Sequence, residues 1–363
     1  MRAAMTPREL RTQVAAILNG ADPPPGIPAD AIVHAAIAHG VGPQMGLSEF
    51  ARRLCGNAAA LVAENARLEV LHAALINDEL RRVLQALADA GLKVVVVKGA
   101  HLAHAVYSRP HMRVRSDSDL LIQPLDRDAA EQVVRVCGYT RPTHVRGRVI
   151  LGQFHMERRD RLDVTHALDI HWRVASPLLV ERLLPARSVL ESARPLPRLG
   201  PDALGPSLPH ALAFASLHLA AHHWPDPDLL WLYDLRTIAD AMSADDERTF
   251  VALSTAGRFS ALAAAVLRVA RDTFPSTKLD VLIASLPNDP GEPALRLLAS
   301  RGPIDDLRLD LRYATTAERF HLVREHLFPD RDYIRAASPG TPLATAYARR
   351  FATGARRWLS KQN

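Results

Sequence analysis

Between Ala58 and Ala88 the leucines Leu61, Leu68, Leu71, Leu75, Leu80, Leu84 and Leu87 recur at threes, fours and sevens. That spacing lines one face of a helix and predicts a helical support over residues 1–90, broken at Pro23, Pro24 and Pro25. The pattern then changes. Val94 to Val97 is β-branched, too short for a helix and apolar on both faces, which reads as an interior strand between Gly91 and Gly99. A short helix from Ala100 to Tyr107 is expected next, then a basic loop from Arg109 to Arg115, then a strand over Asp117 to Ile122. Asp126 is placed to cap a helix continuing to about Cys137.

Residues 139–172 alternate, with turn signals at Gly147 and in the charged cluster from Glu157 to Asp163, as an antiparallel hairpin would. Residues 174–210 are rich in proline and read as a crossover or linker. Helical periodicity returns in Ala211 to His223, Leu229 to Met242 and Leu262 to Phe274. The expected organisation is a helical region over 1–90, an α/β (α+β) core over 91–175, a Pro-rich crossover over 176–208 and a helical region over 209–363.

Composition narrows the function classes. With 363 residues, 48% hydrophobic and 23% charged, the chain is globular rather than disordered or fibrous. It carries a net charge of +6, yet only Lys93, Lys98, Lys278 and Lys361 are lysines, and the basic residues form no long single-sign block. A nucleic-acid groove is therefore not expected, although an Arg-rich nucleic-acid surface stands as a third reading. Cys55 and Cys137 make neither a disulfide framework nor a C-x-x-C pair, which points to a reducing cytoplasm. Charges at Arg2, Arg8, Glu9 and Arg11 interrupt the first segment, and no apolar run approaches the ~20 residues of a membrane span.

The chemistry gathers around Asp117-Ser-Asp119. Alternate residues of a strand share a face, so two carboxylates stand a few ångströms apart and need a cation. Hard oxygen donors suit Mg²⁺ (or Mn²⁺); the plainer reading is a solvated pair at a strand entrance. A second strand, Leu162 to Trp172, has one largely apolar parity, and on the other it carries Asp169 and His171. Asp117, Asp119 and Asp169 together could hold metal, with His171 in the same cleft as an acceptor-orienting or general-base group, or as a polar residue hydrogen-bonded under the helical half. Upstream, Lys98-Gly99-Ala100 lies where strand meets helix, where free backbone N–H groups and a glycine favour a phosphate. His218 and His222 share a helix face, as cleft-lining or packed residues or as two zinc ligands. Asp234 is either a cleft residue or a buried partner of arginine.

Several ordered motifs carry a resemblance: Val97-Lys98-Gly99-Ala100, Tyr107, the Arg-x-x-Asp-x-Asp-Leu-Leu-Ile run, Cys137-Gly138-Tyr139, Leu168-Asp169-Ile170-His171-Trp172, Leu217 to Trp224, and Trp231-Leu-Tyr-Asp234. Over roughly residues 60–245 the chain resembles the uncharacterised bacterial nucleotidyltransferase family of the DNA polymerase β superfold. The resemblance implies a mixed sheet and metal-dependent transfer of a nucleoside monophosphate, from ATP or another NTP, to a small-molecule, peptide or protein acceptor. It makes Gly99 the phosphate-turn glycine, Asp117 and Asp119 the metal pair and Asp169 the third carboxylate. Ala100 replaces the serine usual after that glycine, and the gap to the D-x-D is long; Lys98 or Arg115 would then contact phosphate or simply neutralise Asp117. The alternative is a catalytically reduced descendant that binds nucleotide or a peptide.

Overall fold

The computed structural model describes residues 5–142, 152–300 and 302–359. The expected turn at Gly147 lies outside them. The leucine stripe forms one long helix, Gly56–Asp89. In its second half Leu80, Val83, Leu84 and Leu87 are buried. Its first half packs through Val62 on the short helix Gly42–Gly46 and leaves Leu68 and Leu71 in solvent.

Four strands follow: β1 (Val95–Val97), β2 (Asp117–Leu121), β3 (Gln153–Arg159) and β4 (Thr165–His171). Their order is β1-β2-β4-β3; β2 and β4 run parallel and the other neighbours antiparallel. Alternation sorts the side chains. Val96, Leu120, Leu168, Ile170 and Phe154 pack with the long helix and with Ala130 and Val134 of the helix Arg127–Val136. Val95, Val97 and Leu121 join the other core, which unites N-terminal residues such as Ile32 with the helices Leu208–His222, Leu229–Ala241 and Ser260–Thr273. Each buried Val, Leu or Ile is worth roughly 1.5–3 kcal/mol, so a slip of one residue would expose a whole row. The same alternation turns Asp119, Asp169 and His171 to the second face.

Local departures from the sequence reading have physical causes. The helix expected at Ala100 begins at Lys98 and ends at Ala105. Asp126 makes no capping bond, because it ends the short turn Pro124–Asp126 with helical φ −84° and ψ 2° below zero. β4 starts at Thr165 rather than Leu162, since Asp160 accepts from the Leu162 and Val164 N–H groups and Asp163 turns the chain at φ 65°. The Pro-rich segment is folded: Pro177 and Pro185 stand at the entrances of the helices Leu178–Leu183 and Ala186–Glu191. A small hairpin pairs Arg194–Pro195 with Leu204–Gly205, and Val180, Leu184 and Val189 are fully buried. Among the described residues no helix is long and apolar enough to cross a membrane.

Candidate metal and nucleotide site

Register brings the carboxylates together. Val97 pairs with Asp119 across β1 and β2, Asp119 with Asp169 across β2 and β4, and Asp169 with His155 across β4 and β3. Donor atoms of Asp119, Asp169 and His171 all lie within 4.8 Å of one another. Among the described residues this is the cluster of three acidic, histidine or cysteine side chains close enough to share an ion. His218, His222 and His223 do not form one, which removes the geometric basis for zinc there. Two carboxylates and an imidazole are donors that fit a divalent cation.

Asp119 is buried and accepts from Lys98 Nζ and from His171 Nε2, each at 2.8 Å to the same Oδ1. Burial opposes its ionisation, but Lys98 and then His171 overcome this and hold the carboxyl down at about 2. His171, fully buried and beside Lys98, is lowered, so a neutral ring donates Nε2–H to the carboxylate. Asp117 lies outside the 4.8 Å cluster but feels it. Burial, then Asp119 and Asp169, push it up to about 6.

Asp169 is held from β3. His155 Nδ1 donates to its Oδ1 at 2.6 Å, and Gln153 Nε2 donates to its Oδ2 at 3.2 Å. His155 Nε2 meets Glu157 Oε1 at 2.8 Å. The Asp169 hydrogen bond, and then that to Glu157, raise His155 to about 9 against its partial burial, so the ring is an imidazolium. Sequence reasoning missed both residues. The signal was there: Gln153, His155 and Glu157 are the polar parity of an alternating strand, interleaved with buried Phe154 and Met156.

The turn before the short helix is unusual. Lys98 has φ 51°, a left-handed conformation that costs a non-glycine residue roughly 1–2 kcal/mol, and its ammonium reaches Asp119. The carboxylate that Lys98 pairs with is Asp119 rather than Asp117. Gly99 makes room for Arg113, whose Nη1 would stand 3.1 Å from a Cβ at that position. Ala100 packs into the core shared with the long helix. Arg115 turns the other way and donates to Asn77 Oδ1 at 2.6 Å; burial, then Arg113, pull it down to about 10.

The helical half closes the face. Asp234 is buried in a paired arrangement, accepting from Arg113 Nε at 2.8 Å, Arg113 Nη2 at 2.7 Å and the Tyr107 hydroxyl at 2.8 Å. It is thus a buried partner of arginine, and it also lines the cavity next to the Lys98-Gly99 turn. Arg113 also lies over Trp231, 5.3 Å from the ring centroid, and His223 stacks on Trp231 at 4.4 Å. His218 and His222, with rings 4.9 Å apart, both lie within the electrostatic reach of Lys98 and His171. Lys98, Gly99, Arg113, His218, Trp231 and Asp234 meet around one cavity of about 20 Å³, the room of a single water. The turn and the histidine helix thus meet at this cavity; Arg115 does not line it, but Asp117 and Asp119 act on its charge.

A search among curated proteins finds no match to the chain. The sequence profile of an uncharacterised nucleotidyltransferase family matches residues 25–275, which takes in both the aspartate-bearing sheet and the wall that closes over it. By that match across more than half its length, the chain belongs to this nucleotidyltransferase family and is a transferase.

Proposed function

We propose that the chain moves a nucleoside monophosphate, AMP from ATP in the simplest case, to a hydroxyl or phosphate acceptor on a small molecule, peptide or protein. The observation that carries this reading is the meeting of Asp119, Asp169 and His171 one strand away from the Lys98-Gly99 turn. Asp119 and Asp169, with Asp117 beside them, would hold Mg²⁺ or Mn²⁺, which supplies charge neutralisation at the reacting phosphorus centre. The first backbone N–H groups of the helix Lys98–Ala105 offer the polyphosphate a positive dipole end. Arg113, clamped by Asp234, supports Gly99 from beneath.

His155 and Lys98 place two cations against three carboxylates, which lowers the cost of keeping these acids ionised together before a metal arrives. His171 fixes the rotamer of Asp119 and belongs to its positioning. In-line displacement at an α-phosphate asks for orientation and electrostatic stabilisation rather than a protein nucleophile, and this arrangement offers both. In this reading the polymerase-β-like core spans 91–175, and the helices from residue 209 onward wall the acceptor side.

One observation favours a second reading, a nucleotide- or peptide-binding protein without turnover. Lys98 and His171 both occupy Asp119 Oδ1, and Ala100 has no hydroxyl to offer. Incubating the chain and a cell lysate with Mg²⁺ and ATP labelled at either the α- or the γ-phosphate separates the two. Transfer of α-label alone supports nucleotidyl transfer; nucleotide binding with no labelled acceptor and no pyrophosphate supports the second reading.

A further inference from the structure

A different surface of the molecule, far along the chain from the aspartates, carries its own chemistry. The helix Leu343–Leu359 is 17 residues long, about 25 Å at 1.5 Å per residue. From residue 343 to the end of the sequence there are Arg349, Arg350, Arg356, Arg357 and Lys361, and no Asp or Glu. At 100° per residue Ala344, Tyr347, Ala348 and Phe351 share one side, while Arg349 turns to the opposite one.

Among its described side chains the helix is anchored along one edge. Ala346 is buried, the Tyr347 hydroxyl donates to Pro329 O at 2.6 Å, and Arg350 lies over Tyr333 at 5.6 Å. The aromatic side is bare: Phe351 is 52% exposed, and Phe328, whose ring centre lies 6.5 Å from Tyr347, is 65% exposed. Phe328 directly follows the helix Thr316–Leu327, on which Phe320 and Val323 are also exposed.

We infer that this helix docks the protein on an anionic phospholipid surface. From residue 343 onward a bare aromatic ring and arginines stand together without an acid, although Glu325 and Asp330 flank Phe328, and this matches the two needs of an interfacial helix: an apolar face for the acyl boundary and cations for the headgroups. The helix lies on such a surface rather than crossing it. A nucleic acid would use the arginines but would leave the phenylalanines in water.

The test is vesicle co-sedimentation of the full chain, using phosphatidylcholine alone and phosphatidylcholine with roughly a quarter phosphatidylglycerol. The expected result is partition onto the anionic vesicles only, weakened by salt, and reduced about tenfold both by Phe351→Ser and by the pair Arg349→Ser and Arg350→Ser. Unchanged melting of these variants shows that they remain folded. Absence of partition onto anionic vesicles, equal partition onto neutral ones, indifference to the substitutions, or release by an equimolar random oligonucleotide would each overturn the inference.

Discussion

Asp119 and Asp169 stand at paired positions of two neighbouring parallel strands, so their carboxylates leave the same face of the sheet side by side. Each is held by a different cation, Asp119 by Lys98 from the turn after β1 and Asp169 by His155 from β3. The pair is thus assembled from four strands, and the cations that make it tolerable without metal come from the two edges.

Asp117 and Asp119 should respond oppositely to neutralisation. Burial and neighbouring carboxylates raise Asp117 to about 6 in the folded protein. The folded state then binds this proton more tightly than the unfolded chain, so stability is lost as pH rises from about 4 through 6. Asp117→Asn is expected to raise metal-free stability near pH 7 by on the order of 2 kcal/mol and to change little near pH 4. Chemical denaturation at the two pH values measures both; equal stability of variant and parent near pH 7 would contradict the burial argument.

Asp119→Asn should instead destabilise. The substitution leaves the Lys98 ammonium, only 14% exposed, without its countercharge and gives His171 a neutral amide oxygen as acceptor in place of a carboxylate. A loss of about 1–3 kcal/mol is expected, with part of it recovered when Lys98→Met is added. A thermodynamic cycle over the two sites reads the coupling, and additive effects would show that the contact carries no energy.

The Arg113 and Asp234 pair ties the loop before β2 to the helical half, and both side chains are almost fully buried. Asp234→Ala should cost about 3–5 kcal/mol, because it strands a buried guanidinium. Melting curves of Asp234→Ala and of the Arg113→Met, Asp234→Leu double variant test this. The double variant is expected to be the more stable of the two, and the reverse order would count against the pairing.

Nucleotide binding should engage both halves. Lys98 and Gly99 line the same cavity as His218 and Trp231. With Mg²⁺ and a non-hydrolysable ATP analogue, slower amide exchange is expected over residues 95–120 and over residues 210–240. Protection of the first segment alone would assign the histidines to packing or to acceptor recognition.

Much of this arrangement was legible in the sequence, because alternation is a strong signal wherever one face of a strand is apolar. Leu168 and Ile170 fixed the parity of β4 and with it the direction of Asp169 and His171. The D-x-D parity followed in the same way. What escaped depends on partners distant in the chain. His155 acquires meaning only once β3 is registered against β4; the sequence marks Asp234 as a cleft residue or a partner of arginine, but not which arginine, because Arg113 lies 121 residues away in the chain. The Pro-rich segment misled for a local reason: its prolines open helices at Pro177 and Pro185, where composition alone suggests a loop.

The most direct test of the central claim is pyrophosphate release from ATP and each other NTP, with Mg²⁺ or Mn²⁺ and a lysate supplying acceptors, comparing the parent chain with Asp169→Asn. The account predicts metal-dependent release by the parent and a loss of at least about a hundredfold in a variant that remains folded. Release by Asp169→Asn at the parental rate, or parental release that persists after chelation of the metal, would contradict it.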